Sequence, residues 1–207
     1  MAARASEKFK LMNVAQYLEF EEQSSVRHEY VRGLVLAMTG ARLAHNIICG
    51  NLFSKIHQFL EDGPCRAFIN DMKVHAEAAD CFYYPDIMVV CEPLDTDSLY
   101  VSNPVVLIEV LSPSTQQIDR REKRSAYQLI RSLQQYIVVY QKRMQIDVYR
   151  RLSDVDWEKM SLHKTADLEI IICDQTLRLA VESIYKGVDF TPSVKETDDE
   201  EDYYGLD

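Results

Sequence analysis

Two acidic residues stand alone in apolar runs. Glu109 sits in the middle of VVLIEVLSPS (105–114), where Val105, Val106, Leu107, Ile108, Val110 and Leu111 all favour a strand. Asp86 sits in FYYPDIMVVC (82–91), directly after Pro85. A carboxylate in such a run is costly unless it is paired, protonated or bound to a cation. Side chains alternate along a strand, so Leu107, Glu109 and Leu111 share a face, as do Tyr84, Asp86, Met88 and Val90. On neighbouring strands the two acids converge. Two convergent carboxylates suit a hard divalent cation such as Mg²⁺ or Mn²⁺, which takes oxygen ligands and keeps several waters. Such a cation activates water and clamps a phosphodiester.

The elements that must position these acids are readable from hydrophobic periodicity. A helix is expected at about 13–23, capped by Asn13, followed by a strand at 29–38. The stretch 44–62 places Ile48, Leu52, Ile56 and Phe59 on one helical face. Strands are expected at 65–76, 82–91 and 104–112, the last ended by Pro113. Ser112, Ser114 and Thr115 read as caps for a helix at about 116–132, and no G-x-S-x-G elbow surrounds them. Strands at 135–141 and 145–151 form a hairpin over KRM. EKMSLHK, LEIIIC and LRLA add short strands, and VESIYKG a final helical turn. This order defines a mixed central sheet with helices packed on it, in the α/β or α+β class.

The chain of 207 residues is long enough for one domain with a proper core, here 1–191. Its 47% hydrophobic and 27% charged content is that of a soluble globular protein. No run approaches a membrane span, and the N-terminal stretch has no secretory apolar core, so the expected location is cytoplasmic. The five cysteines form no CxxC pair and are odd in number, so free, reduced, packed thiols are expected. The net charge of −10 argues against a nucleic-acid partner until its distribution is seen. Seven acids lie between Glu196 and Asp207; without them 26 acids face 23 bases. Residues 192–207 read as a disordered acidic tail, while DRREKR (119–124) is a local basic cluster.

The segments HEYVRGLVLAMTGARLAHN, FYYPDIMVVC, VVLIEVLSPSTQQIDRREKRSAYQLIRSLQQYIVVYQ and ESIYKGVDF together resemble the Uma-two family of restriction endonucleases, within the PD-(D/E)xK nuclease superfamily. The likeness covers about residues 13–191, and E-V-L-S-P-S-T…D…K…Y is its most specific part. It implies a restriction-endonuclease-like fold and a Mg²⁺-dependent (or Mn²⁺-dependent) endonuclease acting on DNA. Asp86 and Glu109 become metal ligands, with the Val110 carbonyl a third and Glu29 an extra one. The superfamily's strand lysine would fall at Leu111, where it is absent; Lys123, in the D-x-x-x-K position with Asp119, takes its place. Four residues apart on a helix, Asp119 and Lys123 share a face, and Tyr127 follows one turn later. The role of Lys123 would be to orient the attacking water and stabilise phosphate charge. His45 and Asp71 match further family segments as supporting or substrate-binding residues.

One region departs from the family pattern. The family's string here is E-Y-W-L-V-D-like, whereas QQYIVVYQ, with Gln135, Ile137 and Gln141, loses its two acids. His28, His57, His75 and His163 show no ligand spacing, and the tyrosines, Tyr83 and Tyr84 included, read as core. Cutting both strands of a duplex suggests a homodimer. The rival is a catalytically silent binding protein on the same fold. A nuclease brings Asp86, Glu109 and Lys123 to one open cleft with basic walls; a silent module turns one of them away.

Overall fold

A computed structural model of the chain describes residues 11–111 and 119–190, with the side chains at 119 and 120 outside that description. Helix α1 (Val14–Gln23) starts as expected. Asn13 accepts from the Gln16 amide at 2.9 Å and Gln16 accepts from the Asn13 amide at 3.0 Å, a reciprocal capping box.

Three of the expected strands each prove to be two. The stretch 29–38 is a hairpin, β1 (His28–Val31) and β2 (Leu34–Ala37), because Arg32 and Gly33 both take positive φ (49° and 93°) and reverse the chain. The stretch 65–76 divides into β3 (Arg66–Ile69) and β4 (Lys73–Ala76) at left-handed Asn70, φ 60°. The stretch 82–91 divides into β5 (Cys81–Tyr83) and β6 (Ile87–Val90) at Pro85, which has no amide to donate to a ladder. Asp86 therefore lies at the break and does not share a strand with Tyr84. Asp71 also falls outside a strand, in the bend before β4.

The β1–β2 hairpin stays in one sheet, whereas the halves of 65–76 and 82–91 go to different sheets. One has five strands in the order β2-β1-β5-β4-β7, with β7 (Tyr100–Val101) pairing parallel to β4. The other has six, in the order β11-β10-β9-β8-β6-β3. Its remaining strands are β8 (Val106–Leu111), β9 (Gln135–Tyr140), β10 (Gln145–Arg151) and β11 (Trp157–His163). Strands β8 and β9 run parallel and the other neighbours antiparallel. A hairpin of β12 (Asp167–Ile172) and β13 (Gln175–Ala180) completes a mixed α+β architecture.

Strands β6, β8 and β9 are buried on both faces, which is why they read as unbroken apolar runs. Ile87, Val89, Ile108, Val110 and Ile137 pack against α2 (Leu43–Phe59), the β12–β13 hairpin and α4 (Val181–Ile184). Met88, Leu107, Leu111, Tyr136 and Val138 pack on the opposite face against Val74, Cys81 and Tyr83 of the five-stranded sheet. Glu109 is on this second face, as alternation requires.

The helix expected at 116–132 is described from residue 119. Its described part is a π-helical turn, Asp119–Lys123, that continues as α3, Arg124–Gln128, ending four residues early. The expected caps at 112–115, the Asp119 side chain and the acidic tail lie outside the described residues.

The expectation of five free cysteines fails. Cys65 and Cys91 flank β3 and β6, whose register pairs Arg66 with Val90. One step further brings their Cα atoms to 4.0 Å, and the two form a disulfide. Cys49, Cys81 and Cys173 remain thiols.

Gln135 is buried and bridges β9 to β12, donating to the Glu169 carbonyl at 3.1 Å and accepting from the Ile171 amide at 2.6 Å. It shares a face with Ile137, away from Glu109, so these two departures from the family pattern serve packing.

A buried carboxylate elsewhere gives a stability prediction. Asp147 is 1% exposed and accepts from Ser161 (2.7 Å), Tyr140 (3.0 Å) and Gln145 (3.1 Å), with Lys159 at 2.9 Å. Burial pushes its pKa up, but the bonds from Lys159, Ser161, Gln145 and Tyr140 outweigh burial and hold it below the ordinary value. Asp147→Asn is expected to lose about 2 kcal/mol at neutral pH. A carboxyl with a lowered folded pKa contributes stability above its unfolded value. The gap to wild type therefore closes as pH falls below about 4, read by urea melts across pH.

Candidate active site

The β6–β8 register pairs Ile87 with Ile108, so Asp86 stands opposite Glu109 where β6 begins. Asp86 Oδ2 accepts the Val110 amide at 2.7 Å, which fixes the carboxylate against β8. His45, two residues into α2, places Nε2 3.2 Å from each Asp86 oxygen. Its Nδ1 lies 3.5 Å from Cys49 Sγ, one turn along. Burial pushes the Cys49 thiol well above its usual pKa, helped by Asp86 and Glu109. Cys49 thus stays a thiol, and because a carboxylate only accepts, His45 Nε2–H donates to Asp86.

Glu109 is 3% exposed. Its Oε1 accepts from Tyr127 at 2.8 Å and from the Lys123 ammonium at 3.3 Å. Tyr127 is fully buried. Burial first, then the Glu109 charge, keep its phenol far above its usual pKa, so it serves only as a neutral donor. Lys123 also lies 2.8 Å from Glu29 Oε1, in an ion pair whose angle falls short of hydrogen-bond geometry. The Tyr83 ring sits 5.5 Å from the same ammonium.

Asp86, Glu109, Glu29, Val110, Lys123 and His45 therefore line one cleft of about 410 Å³, with Tyr127 buried behind Glu109. Asp71 does not join them; it stands on the rim, exposed, paired with Arg27 at 2.8 Å. Among the described residues the lining of the cleft is not basic. Arg27 and Lys123 are the cations in its lining, against Glu29, Asp71, Asp86 and Glu109. Sequence reasoning missed Cys49, Arg27 and the wall formed by Tyr83 and Tyr84. Cys49 was legible only as the i+4 neighbour of His45.

The residues fit a hard divalent cation. The cleft lining carries three carboxylates, Glu29, Asp86 and Glu109, and buried Glu29 Oε1, ion-paired with Lys123, has no hydrogen-bond donor among the described residues. His45, Cys49 and Asp86 offer a softer set within 4.8 Å of one another, but a protonated thiol is a poor ligand.

Comparison shows the family and the fold. The chain belongs to the Uma2 family: residues 14–182 match its model, described as "Putative restriction endonuclease". The chain is 31% identical over 191 residues to the "uncharacterized protein slr1290" of Synechocystis sp. (strain ATCC 27184 / PCC 6803 / Kazusa), covering 92% of this chain and all of that one. A second protein of that organism, "uncharacterized protein sll1609", is 30% identical over 151 residues, 72% of this chain and 85% of its own. The fold matches a crystal structure of a "putative nuclease belonging to DUF820" from Anabaena variabilis ATCC 29413. The TM-score is 0.68 at 17% identity, covering 84% of this chain and 97% of that one. No helix among the described residues is long and apolar enough to cross a membrane.

Proposed function

We propose that this protein is a metal-dependent endonuclease of the PD-(D/E)xK type that hydrolyses DNA phosphodiester bonds. The observation that carries the reading is the meeting of Asp86 and Glu109, from neighbouring strands, with Lys123 from the following helix in a single cleft. Asp86, Glu109, Glu29 and the Val110 carbonyl would hold Mg²⁺ or Mn²⁺. When bound, the cation supplies a Lewis acid for a phosphate oxygen and lowers the pKa of a coordinated water.

The chain's own groups do the rest. Lys123, held between two carboxylates, presents a fixed positive charge to the phosphate as negative charge develops on it. Tyr127 fixes the Glu109 carboxylate, and His45 with the Val110 amide fixes Asp86. With Arg27 and Lys123 as the cations among its described lining residues, the cleft draws limited affinity from phosphate contacts, and the cation would add to substrate binding. Cutting both strands requires two such sites, which makes a homodimer the working assembly.

The test is conversion of supercoiled plasmid to nicked and linear forms with Mg²⁺ or Mn²⁺, with and without chelator, alongside calorimetric titration of each ion. Metal-dependent nicking supports the reading. Neither heat of binding nor cleavage of DNA would sink it in favour of a silent binding module; cleavage of RNA alone would move the substrate class.

His45→Gln is expected to weaken Mn²⁺ binding and plasmid nicking by about 10-fold, since it loosens a ligand without removing one. Calorimetry and nicking on the same sample check this.

A further inference from the structure

At the other end of β6 from Asp86, about 16 Å away along the strand, lies a second cluster of reactive groups. The register that pairs Arg66 with Val90 sets Cys65 against Cys91, and the two are disulfide-bonded. Cys173 comes from a separate sheet. It lies in the turn between β12 and β13, at φ 52°, and is exposed. Its Sγ is 3.9 Å from Cys65 Sγ, and all three sulfurs lie within 4.8 Å of one another. Cys65 in a disulfide carries no proton, so the Cys173 thiol is the donor in that contact.

We propose that Cys65, Cys91 and Cys173 form an exchangeable thiol–disulfide centre, in which Cys173 opens the Cys65–Cys91 bond. Cys173 loses its proton to solvent and its thiolate attacks Cys65 Sγ. The Cys65–Cys173 bond forms as the Cys65–Cys91 bond breaks. Cys91 leaves with the electron pair and takes up one proton. The step is an isomerisation: one disulfide and one thiol stand on each side, with no net oxidation.

The geometry makes the two isomers unlike. Cys65 is 4% exposed, so the existing bond presents its Cys65 sulfur poorly to an outside thiol. Exchange moves half of the disulfide onto exposed Cys173, where a small thiol or disulfide such as glutathione can react with it. It also changes what is tied together. The Cys65–Cys91 bond joins strands already paired in one sheet, whereas a Cys65–Cys173 bond would staple the β12–β13 hairpin to the edge strand β3. The cysteine cluster is thus a redox-addressable site with a low-molecular-weight thiol as its reactant class.

The test uses the full chain. Reduced Cys91→Ser protein is oxidised with glutathione disulfide, and its non-reduced peptides are read by mass spectrometry. A Cys65–Cys173 crosslink is expected; glutathione adducts on separate cysteines, without the crosslink, would overturn the proposal. In a second arm, disulfide-containing wild type is incubated in mildly alkaline buffer and then alkylated. Labelling of Cys91 as well as Cys173 is expected, with loss of Cys91 labelling in Cys173→Ser. Labelling confined to Cys173 in the wild type would equally overturn it, and this arm does not depend on the folding of Cys91→Ser.

Discussion

Glu109→Gln is expected to abolish Mn²⁺ binding measured by calorimetry and to lower metal-dependent plasmid nicking by about 10³-fold, roughly 4 kcal/mol of transition-state stabilisation. The substitution keeps the size of the side chain and an oxygen able to accept from Tyr127, whose hydroxyl lies 2.8 Å from Glu109 Oε1. It removes the negative charge. Lys123 keeps a partner in Glu29, 2.8 Å away, so no cation is stranded in the interior. The melting temperature in the absence of metal should therefore move little. A variant that binds Mn²⁺ as well as the wild type would show that Glu109 exists to neutralise Lys123, which is the ordinary reason for a buried carboxylate.

Lys123→Met has a different signature. The ammonium sits 2.8 Å from Glu29 and 3.3 Å from Glu109, occupying by charge the space between two ligands. Removing it leaves those carboxylates facing each other in a dry setting. Without metal the variant should be less stable, by about 3 kcal/mol. Added Mn²⁺ should restore its melting temperature beyond the shift seen in wild type, because a competing cation is gone. Nicking should nevertheless fall by about 10²-fold, since the positive charge at the phosphate is lost. Tighter metal binding with slower cleavage separates a catalytic lysine from a structural one. If affinity and activity fall together, Lys123 positions the ligands and does not assist the chemistry.

How far the sequence revealed this arrangement depended on the kind of constraint. Glu109 was legible because one acid in a run buried on both faces has few tenable explanations. Lys123 was not legible from DRREKR alone; the family pattern singled it out among neighbouring bases, and the π-helical turn that carries it left no mark in hydrophobic periodicity. The convergence of Asp86 and Glu109 was anticipated, but not its means. Periodicity marks which residues are apolar and says nothing about which sheet receives them. The runs at 65–76 and 82–91 thus looked continuous, although Asn70 and Pro85 break them and send their halves to different sheets. The Cys65–Cys91 pair was hidden for a related reason: it depends on cross-strand register, and a spacing of 26 residues gives no local signal.

The two crossings between sheets lie side by side, and the Asn70 amide donates to the Asp86 carbonyl at 3.0 Å. That bond works as a hinge pin joining two leaves. The opening between the leaves is set by backbone at the pivot, not by the surface loops around it. Loops at the mouth can therefore lengthen, shorten or change charge among relatives without moving the acid at the pivot. The rim can vary while the cleft behind it keeps its shape.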